Sequence, residues 1–234
     1  FDKFSRNHNN TKKNIDQNNY ILVLGDSVGM GWGVNDEETF AYHLEKLSKK
    51  KVYNMSVSSY GTVREIKRMK LSPYYENSKT IIIQYHPNDL GENKNLNFDT
   101  TYEKTDYDNF FKNSSNNPSN IKLILRIYKS SLRLFFSDLN DIIFREKNLE
   151  LHEFEEHQKF LEHIIKKNID LEEKKVLVIL VLQPWQKVIN FPKNTNKIKY
   201  KLIKLEKLDF FNIDDHPNSS GHLKIAKSIF NYLN

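Results

Sequence analysis

The chain has 234 residues and no cysteine, which excludes a disulfide scaffold, a thiolate metal site and a cysteine nucleophile. Hydrophobic residues make up 38% of it, with 15 Phe and 12 Tyr, so it can bury a core and is not a wholly disordered chain. The formal net charge is +6, yet no nucleic-acid-binding motif accompanies it, so the excess charge indicates a solvated basic surface and no nucleic acid partner.

The first part of the chain alternates short apolar runs with amphipathic segments. Residues 1–19 are polar and rich in Asn, so we expect an N-terminal arm there. A short continuous apolar run predicts a strand buried on both faces over residues 20–24, a second strand is expected over 51–55, and a third buried strand over 80–85. Helical spacing of apolar residues predicts helices over 37–50 and 62–71. Strands that alternate with helices through short connections are typical of parallel βαβ units.

The alternation stops after the third strand. A polar stretch over residues 92–120 predicts a loop, and the segments 121–136 and 139–167 have helical patterns. The mixed apolar and basic pattern of 121–136 favours packing on the domain over binding at a membrane surface. No apolar run approaches the ~20 residues that a membrane-spanning helix needs.

The C-terminal part resumes the α/β pattern. The strongest apolar run predicts a central strand over 175–182, residues 207–213 predict a last strand, and residues 219–233 an amphipathic helix. We therefore expect one α/β domain over residues 20–234. Residues 92–174 would form a helical insertion or lid between its third and fourth strands.

A glycine-rich segment, Gly25-Asp-Ser-Val-Gly-Met-Gly-Trp-Gly33, follows the first predicted strand. Its glycines alternate and so do not fit the dinucleotide fingerprint G-x-G-x-x-G, and the phosphate-binding G-x-x-x-x-G-K-[ST] is absent. Ser27 instead lies at the carboxyl end of a strand, where ligands bind in open α/β sheets. The segment fits G-x-S-x-G, but the serine of the α/β-hydrolases follows several strands and this one follows the first.

A serine nucleophile needs an imidazole to take its proton and a carboxylate to orient that imidazole. Residues 213–222, Ile-Asp-Asp-His-Pro-Asn-Ser-Ser-Gly-His, provide both in the loop before the last predicted helix. His216 is the candidate base, and either Asp214 or Asp215 could be the acid. The two segments together predict nucleophilic catalysis.

A Gly-Asp-Ser segment near the start and an acid-His-Pro-Asn loop near the end resemble the SGNH (GDSL-type) hydrolase family. Two further blocks of that family can be matched in order. The block after the second strand resembles residues 54–62, with Ser59 where the family usually has glycine. The block G-x-N-D after the third strand resembles residues 86–89, which keep Asn88 and Asp89 but have His86 for the glycine.

This resemblance implies a flavodoxin-like three-layer α/β/α sandwich with a parallel sheet. It implies Ser27 as the nucleophile, His216 as the base and Asp214, rather than Asp215, as the acid. The main-chain N–H groups of Ser27 and Ser59 and the side-chain amide of Asn88 would form the oxyanion hole. It implies neither a metal nor a cofactor.

The remaining candidate residues favour structural roles. We expect Asp26 to be a buried hydrogen-bonding scaffold of the Ser27 loop, and His222, on the last helix, to have a structural packing role. His152, Glu153 and His157 are similar to the zinc motif H-E-x-x-H, but the two histidines are one residue too far apart to share a metal on a helix.

The expected function is a serine esterase that hydrolyses short acyl esters, acetyl above all, of a small molecule or a carbohydrate. Transfer of the acyl group to a sugar hydroxyl would use the same residues, and a catalytically silent polysaccharide-binding module is the third hypothesis. We expect the cell envelope or periplasm, reached through an upstream anchor, with the cytoplasm as the alternative. The sequence leaves the oligomeric state open.

Overall fold

Five parallel strands form the central sheet of the computed structural model, which describes residues 16–95, 150–212 and 214–233. The strands of this sheet are β1 (Asp16–Gly25), β2 (Lys50–Asn54), β3 (Ser78–Tyr85), β5 (Lys175–Leu182) and β7 (Ile198–Lys204). Their order is β2-β1-β3-β5-β7, and every neighbouring pair is parallel. Counted along the chain within this sheet, that is the flavodoxin-like order 2-1-3-4-5.

Helices cover both faces of the sheet. The longer helices are α2 (Phe40–Ser48), α3 (Thr62–Lys70), α5 (Glu155–Asn168) and α6 (Ser219–Leu233). Alternate residues of a strand point to opposite faces, so Leu22 and Leu24 of β1 pack on the layer of α3 and α5. Ile21 and Val23 pack on the layer of α2 and α6. This is a three-layer α/β/α sandwich, as predicted.

Shorter elements connect these layers. They are α1 (Ser27–Met30), α4 (Asp89–Asn95), β4 (Glu150–Glu153) and β6 (Gln186–Ile189), and β4 pairs with β6 in a parallel two-stranded sheet. Within the ranges that the structure describes, no helix is long and apolar enough to cross a membrane.

The predicted N-terminal arm and the predicted insertion both need correction. β1 begins at Asp16, so the arm predicted over 1–19 extends too far. The helix predicted over 139–167 is wrong at Glu150–Glu153, which is a strand. α5 buries Leu161, Ile164 and Ile165 against the sheet, so its residues belong to the sandwich and not to an insertion or lid over 92–174. The predicted helix over 121–136 lies outside the described residues.

Two smaller predictions are also wrong. The polar stretch after the third strand begins with α4 instead of a loop. The last strand of the sheet is β7, and residues Lys207–Asp209 form a 3-10 turn. β7 lies at the edge of the sheet, where lysines can stand among its buried residues, and this hides the strand in a search for continuous apolar runs.

Candidate active site

Ser27 is the first residue of α1, a helix of four residues that begins directly after β1. Asp26 caps this helix, because its Oδ1 accepts the main-chain N–H of Val28 at 2.9 Å. The side chain of Asp26 is buried, as the sequence predicts for a scaffold residue. The turn ends at Gly31, whose φ of 83° is in the left-handed region that glycine adopts without strain.

Side chains from both neighbouring strands hold this turn. The N–H of Gly29 donates to Gln84 Oε1 on β3 at 2.9 Å, and Asn54 Nδ2 on β2 donates to the carbonyl of Gly29 at 3.0 Å. A Cβ atom on Gly29 would lie 2.5 Å from Ser56 Oγ, so a larger residue would displace the turn. These roles of Gln84 and Asn54 were not predicted from the sequence. Their signal is a buried polar residue at or next to the carboxyl end of a strand.

His216 lies between Ser27 and Asp214. Its Nε2 is 2.8 Å from Ser27 Oγ, although the two residues are 189 positions apart in the chain. Its Nδ1 contacts Asp214 Oδ1, and the same oxygen accepts the main-chain N–H of His216 at 2.9 Å. Of the two acids that the sequence left open, Asp214 makes these contacts. With its proton on Nδ1, the imidazole presents Nε2 as an acceptor to the serine hydroxyl.

Main-chain contacts hold the loop that carries His216. The N–H of Phe211 donates to the carbonyl of His216 at 3.1 Å. Asn218 Nδ2 donates to the carbonyls of Leu208 and Phe210 at 2.9 and 3.0 Å. The histidine loop is therefore closed on the segment that precedes it. This fixes the imidazole beside α1.

The three predicted oxyanion-hole donors follow three adjacent strands of the sheet. Ser27, Ser59 and Asn88 come after the carboxyl ends of β1, β2 and β3, which lie at one edge. The three donors are the main-chain N–H of Ser27, the main-chain N–H of Ser59 and the side-chain amide of Asn88. None of them has a hydrogen-bond acceptor in the part of the chain that the structure describes. These donors are free to bind a ligand oxygen.

Two acidic side chains are buried behind this edge. Glu65 of α3 and Asp89 of α4 are 1% and 2% exposed, and Asp89 accepts a hydrogen bond from the Thr62 hydroxyl at 2.9 Å. Burial raises the pKa of both carboxyl groups well above their usual values, and the charge of each neighbouring acid adds to the effect. Burial therefore penalises the charged form of both groups.

The other histidines have structural contacts. His222 is fully buried, and its Nδ1 accepts the main-chain N–H of Phe40 at 3.2 Å, which agrees with the predicted packing role. His157 Nδ1 is 2.8 Å from the Tyr85 hydroxyl, and burial lowers the pKa of this histidine. His152 is on β4 and His157 on α5, so they do not share a helix. Among the described residues, no group of three or more His, Asp or Glu could hold a metal ion.

Comparison with known proteins gives structural matches only. No family model matches the chain, and no curated protein matches it. A solved structure assigned to the G-D-S-L lipolytic family, from Desulfitobacterium hafniense, is 12% identical with a TM-score of 0.47, over 91% of this chain and 98% of its own. A family two carbohydrate esterase from Cellvibrio japonicus is 13% identical with a TM-score of 0.46, over 94% of this chain and 61% of its own.

A third match is a two-domain esterase active on acetylated mannans. It is 12% identical with a TM-score of 0.44, over 92% of this chain and 49% of its own. This chain therefore spans about half to two thirds of the two carbohydrate esterases.

Proposed function

We propose that the protein is a serine esterase of the SGNH type that removes short acyl groups, acetyl above all, from a carbohydrate. The observation that carries this proposal is the 2.8 Å contact between Ser27 Oγ and His216 Nε2. A hydroxyl is a weak nucleophile until a base takes its proton, and this contact supplies the base. The Asp214 contact at the opposite ring nitrogen supports the tautomer that the mechanism needs.

The proposed reaction has two halves. Ser27 Oγ attacks the ester carbonyl carbon while its proton passes to His216 Nε2, and the carbonyl oxygen becomes an oxyanion. The donors of Ser27, Ser59 and Asn88 stabilise that oxyanion, and Asp214 stabilises the imidazolium. His216 then protonates the leaving alcohol as the C–O bond breaks. Water attacks the acyl-serine with His216 as base, which releases the acid and restores Ser27.

Trp32 supports a carbohydrate as the alcohol part of the substrate. The residue is 49% exposed, and the centroid of its ring is 6.2 Å from that of His216. Its main-chain N–H donates to the carbonyl of Ser27 at 3.0 Å, which holds the main chain of Trp32 beside the nucleophile. A flat apolar surface with a polar edge at the mouth of a site suits the face of a sugar ring.

Acetate release from a mono-acetylated methyl glucoside tests the proposal. Wild type should release acetate, and Ser27→Ala should show only background. Trp32→Ala should raise KM for the sugar ester while kcat/KM for methyl acetate, which has no ring to stack, stays unchanged. Equal acetate release by Ser27→Ala and wild type would contradict the esterase. Product analysis with an added sugar acceptor separates hydrolysis from transfer, since transfer gives an acylated acceptor in place of free acetate.

A further inference from the structure

The turn after β2 is strained at Ser59. Its φ is 65°, where the Cβ of a non-glycine residue approaches a main-chain carbonyl oxygen. The main-chain N–H of Ser59 is also a predicted oxyanion donor, and the direction of this N–H depends on the orientation of the peptide group. A serine in this conformation needs contacts that hold it there, whereas glycine adopts it freely.

Two charged side chains surround this turn. Arg64 Nη2 donates to the carbonyl of Ser59, and the guanidinium lies 4.5 Å over the ring of Tyr60. Arg64 also pairs with Glu92 through two nitrogen–oxygen contacts, with Nε at 2.8 Å from Glu92 Oε1. Glu92 Oε1 in turn accepts the main-chain N–H of Gly61 at 2.9 Å. Each of the three turn residues therefore contacts a member of the pair.

The geometry differs from that of an ordinary surface ion pair. The side chains of Arg64 and Glu92 are 26% and 21% exposed, and the planar guanidinium meets both carboxylate oxygens. A Cβ atom on Gly61 would lie 2.7 Å from Glu92 Oε1. The carboxylate can reach the main chain only because this residue is glycine. The pair is thus fitted to the turn.

We propose that Arg64 and Glu92 are positioning residues that hold the Ser59 peptide in its left-handed conformation. The pair makes accessible to serine a conformation that glycine would adopt at this position without support. Without them the turn relaxes towards negative φ, and the Ser59 N–H rotates away from the substrate oxygen. The catalytic consequence rests on the proposed esterase function, but the conformational role does not.

A rescue experiment tests the role of the pair. In Arg64→Ala, kcat for p-nitrophenyl acetate should fall roughly tenfold at nearly constant KM, a part of the ~10²–10³ lost when an oxyanion donor is removed outright. Adding Ser59→Gly to Arg64→Ala should restore kcat, because glycine needs no support. Lys70→Ala removes an exposed positive charge from the same helix and should leave kcat unchanged. An unchanged kcat in Arg64→Ala, or no recovery in the double variant, would overturn the proposal.

Amide hydrogen exchange gives a second readout that does not need activity. The Gly61 N–H is bonded to Glu92 in wild type and should exchange faster in Arg64→Ala. Exchange that does not respond to Arg64→Ala overturns the positioning role, whatever the activity. If wild type has no esterase activity while exchange at Gly61 responds to Arg64→Ala as expected, only the proposed function is contradicted.

Discussion

One oxygen of Asp214 makes both of its contacts with His216. Oδ1 accepts the main-chain N–H at 2.9 Å and faces Nδ1 of the ring. In Asp214→Asn, the amide oxygen of the new side chain could keep both contacts, because the main-chain N–H selects an acceptor at that position. Asp214→Asn therefore removes the negative charge and preserves the orientation of the imidazole, while Asp214→Ala removes both.

Asp214→Asn and Asp214→Ala should lower the catalytic rate by different amounts. Unit charges about 4 Å apart interact by about 4 kcal/mol at an effective dielectric constant near 20. The Asp214 side chain is 35% exposed, so solvent screening reduces the expected effect. We take about 2–3 kcal/mol, which is roughly 10²-fold in rate. For Asp214→Ala we expect a larger loss, about 10³–10⁴-fold, because the tautomer and the ring orientation are lost as well.

The assay is kcat/KM on p-nitrophenyl acetate for both variants, with Asp215→Asn as the matched control. Asp215→Asn should remain within about twofold of wild type, since this residue contributes its main-chain carbonyl to Gln183 Nε2 at 2.8 Å and the substitution keeps it. Equal losses in Asp214→Asn and Asp214→Ala would refute the argument from a shared oxygen. A larger loss in Asp215→Asn than in Asp214→Asn would refute the assignment of the acid.

Three further predictions concern stability and are measured by urea unfolding. Ser59→Gly and Lys49→Gly each replace a residue with positive φ, 65° and 57°, and each should stabilise the protein by about 0.5–1 kcal/mol; a loss of stability in both would contradict the strain argument. Glu65 has a raised pKa in the folded protein, so its contribution is fully present below the unfolded pKa of about 4.3 and is lost as pH rises towards the folded pKa. Glu65→Gln should therefore gain stability relative to wild type from pH 5 to pH 8, by at most about 1.4 kcal/mol per pH unit, and a pH-independent difference would count against it. Gly221→Ala would place a Cβ 2.4 Å from the Asp209 carbonyl oxygen and should cost about 1–3 kcal/mol, so stability equal to wild type would show that α6 can shift freely.

The sheet could be predicted where its strands are buried on both faces. β3 and β5 are almost entirely buried; β5 is a continuous apolar run after Lys175, and β3 has the apolar centre Ile81-Ile82-Ile83. β7 was missed because Lys199, Lys201 and Lys204 interrupt its apolar residues, as an edge position permits. The packing of α5 was missed because its apolar stripe resembles that of a helix in an insertion. Which surface a stripe covers depends on residues distant in the chain.

The residues of the site that belong to recognisable sequence motifs could be predicted. Ser27 and His216 follow from residue type and position at the ends of elements, and the structure brings their side chains together. Residue type alone leaves Asp214 and Asp215 equivalent, and the preference for Asp214 came from the resemblance; in the structure Asp214 contacts the His216 ring because of how the loop closes. Gln84 supports the nucleophile turn because sheet register places it beside Gly25. Register is a tertiary property that one sequence does not reveal.

Covalent labelling by a fluorophosphonate, followed by peptide mapping, tests the central claim most directly. The reagent reacts with a serine whose proton a neighbouring base removes. We expect a single adduct on Ser27 in wild type, none in Ser27→Ala, and much slower labelling in His216→Ala. A wild-type protein that stays unlabelled, or that carries the adduct on another serine, would contradict this claim.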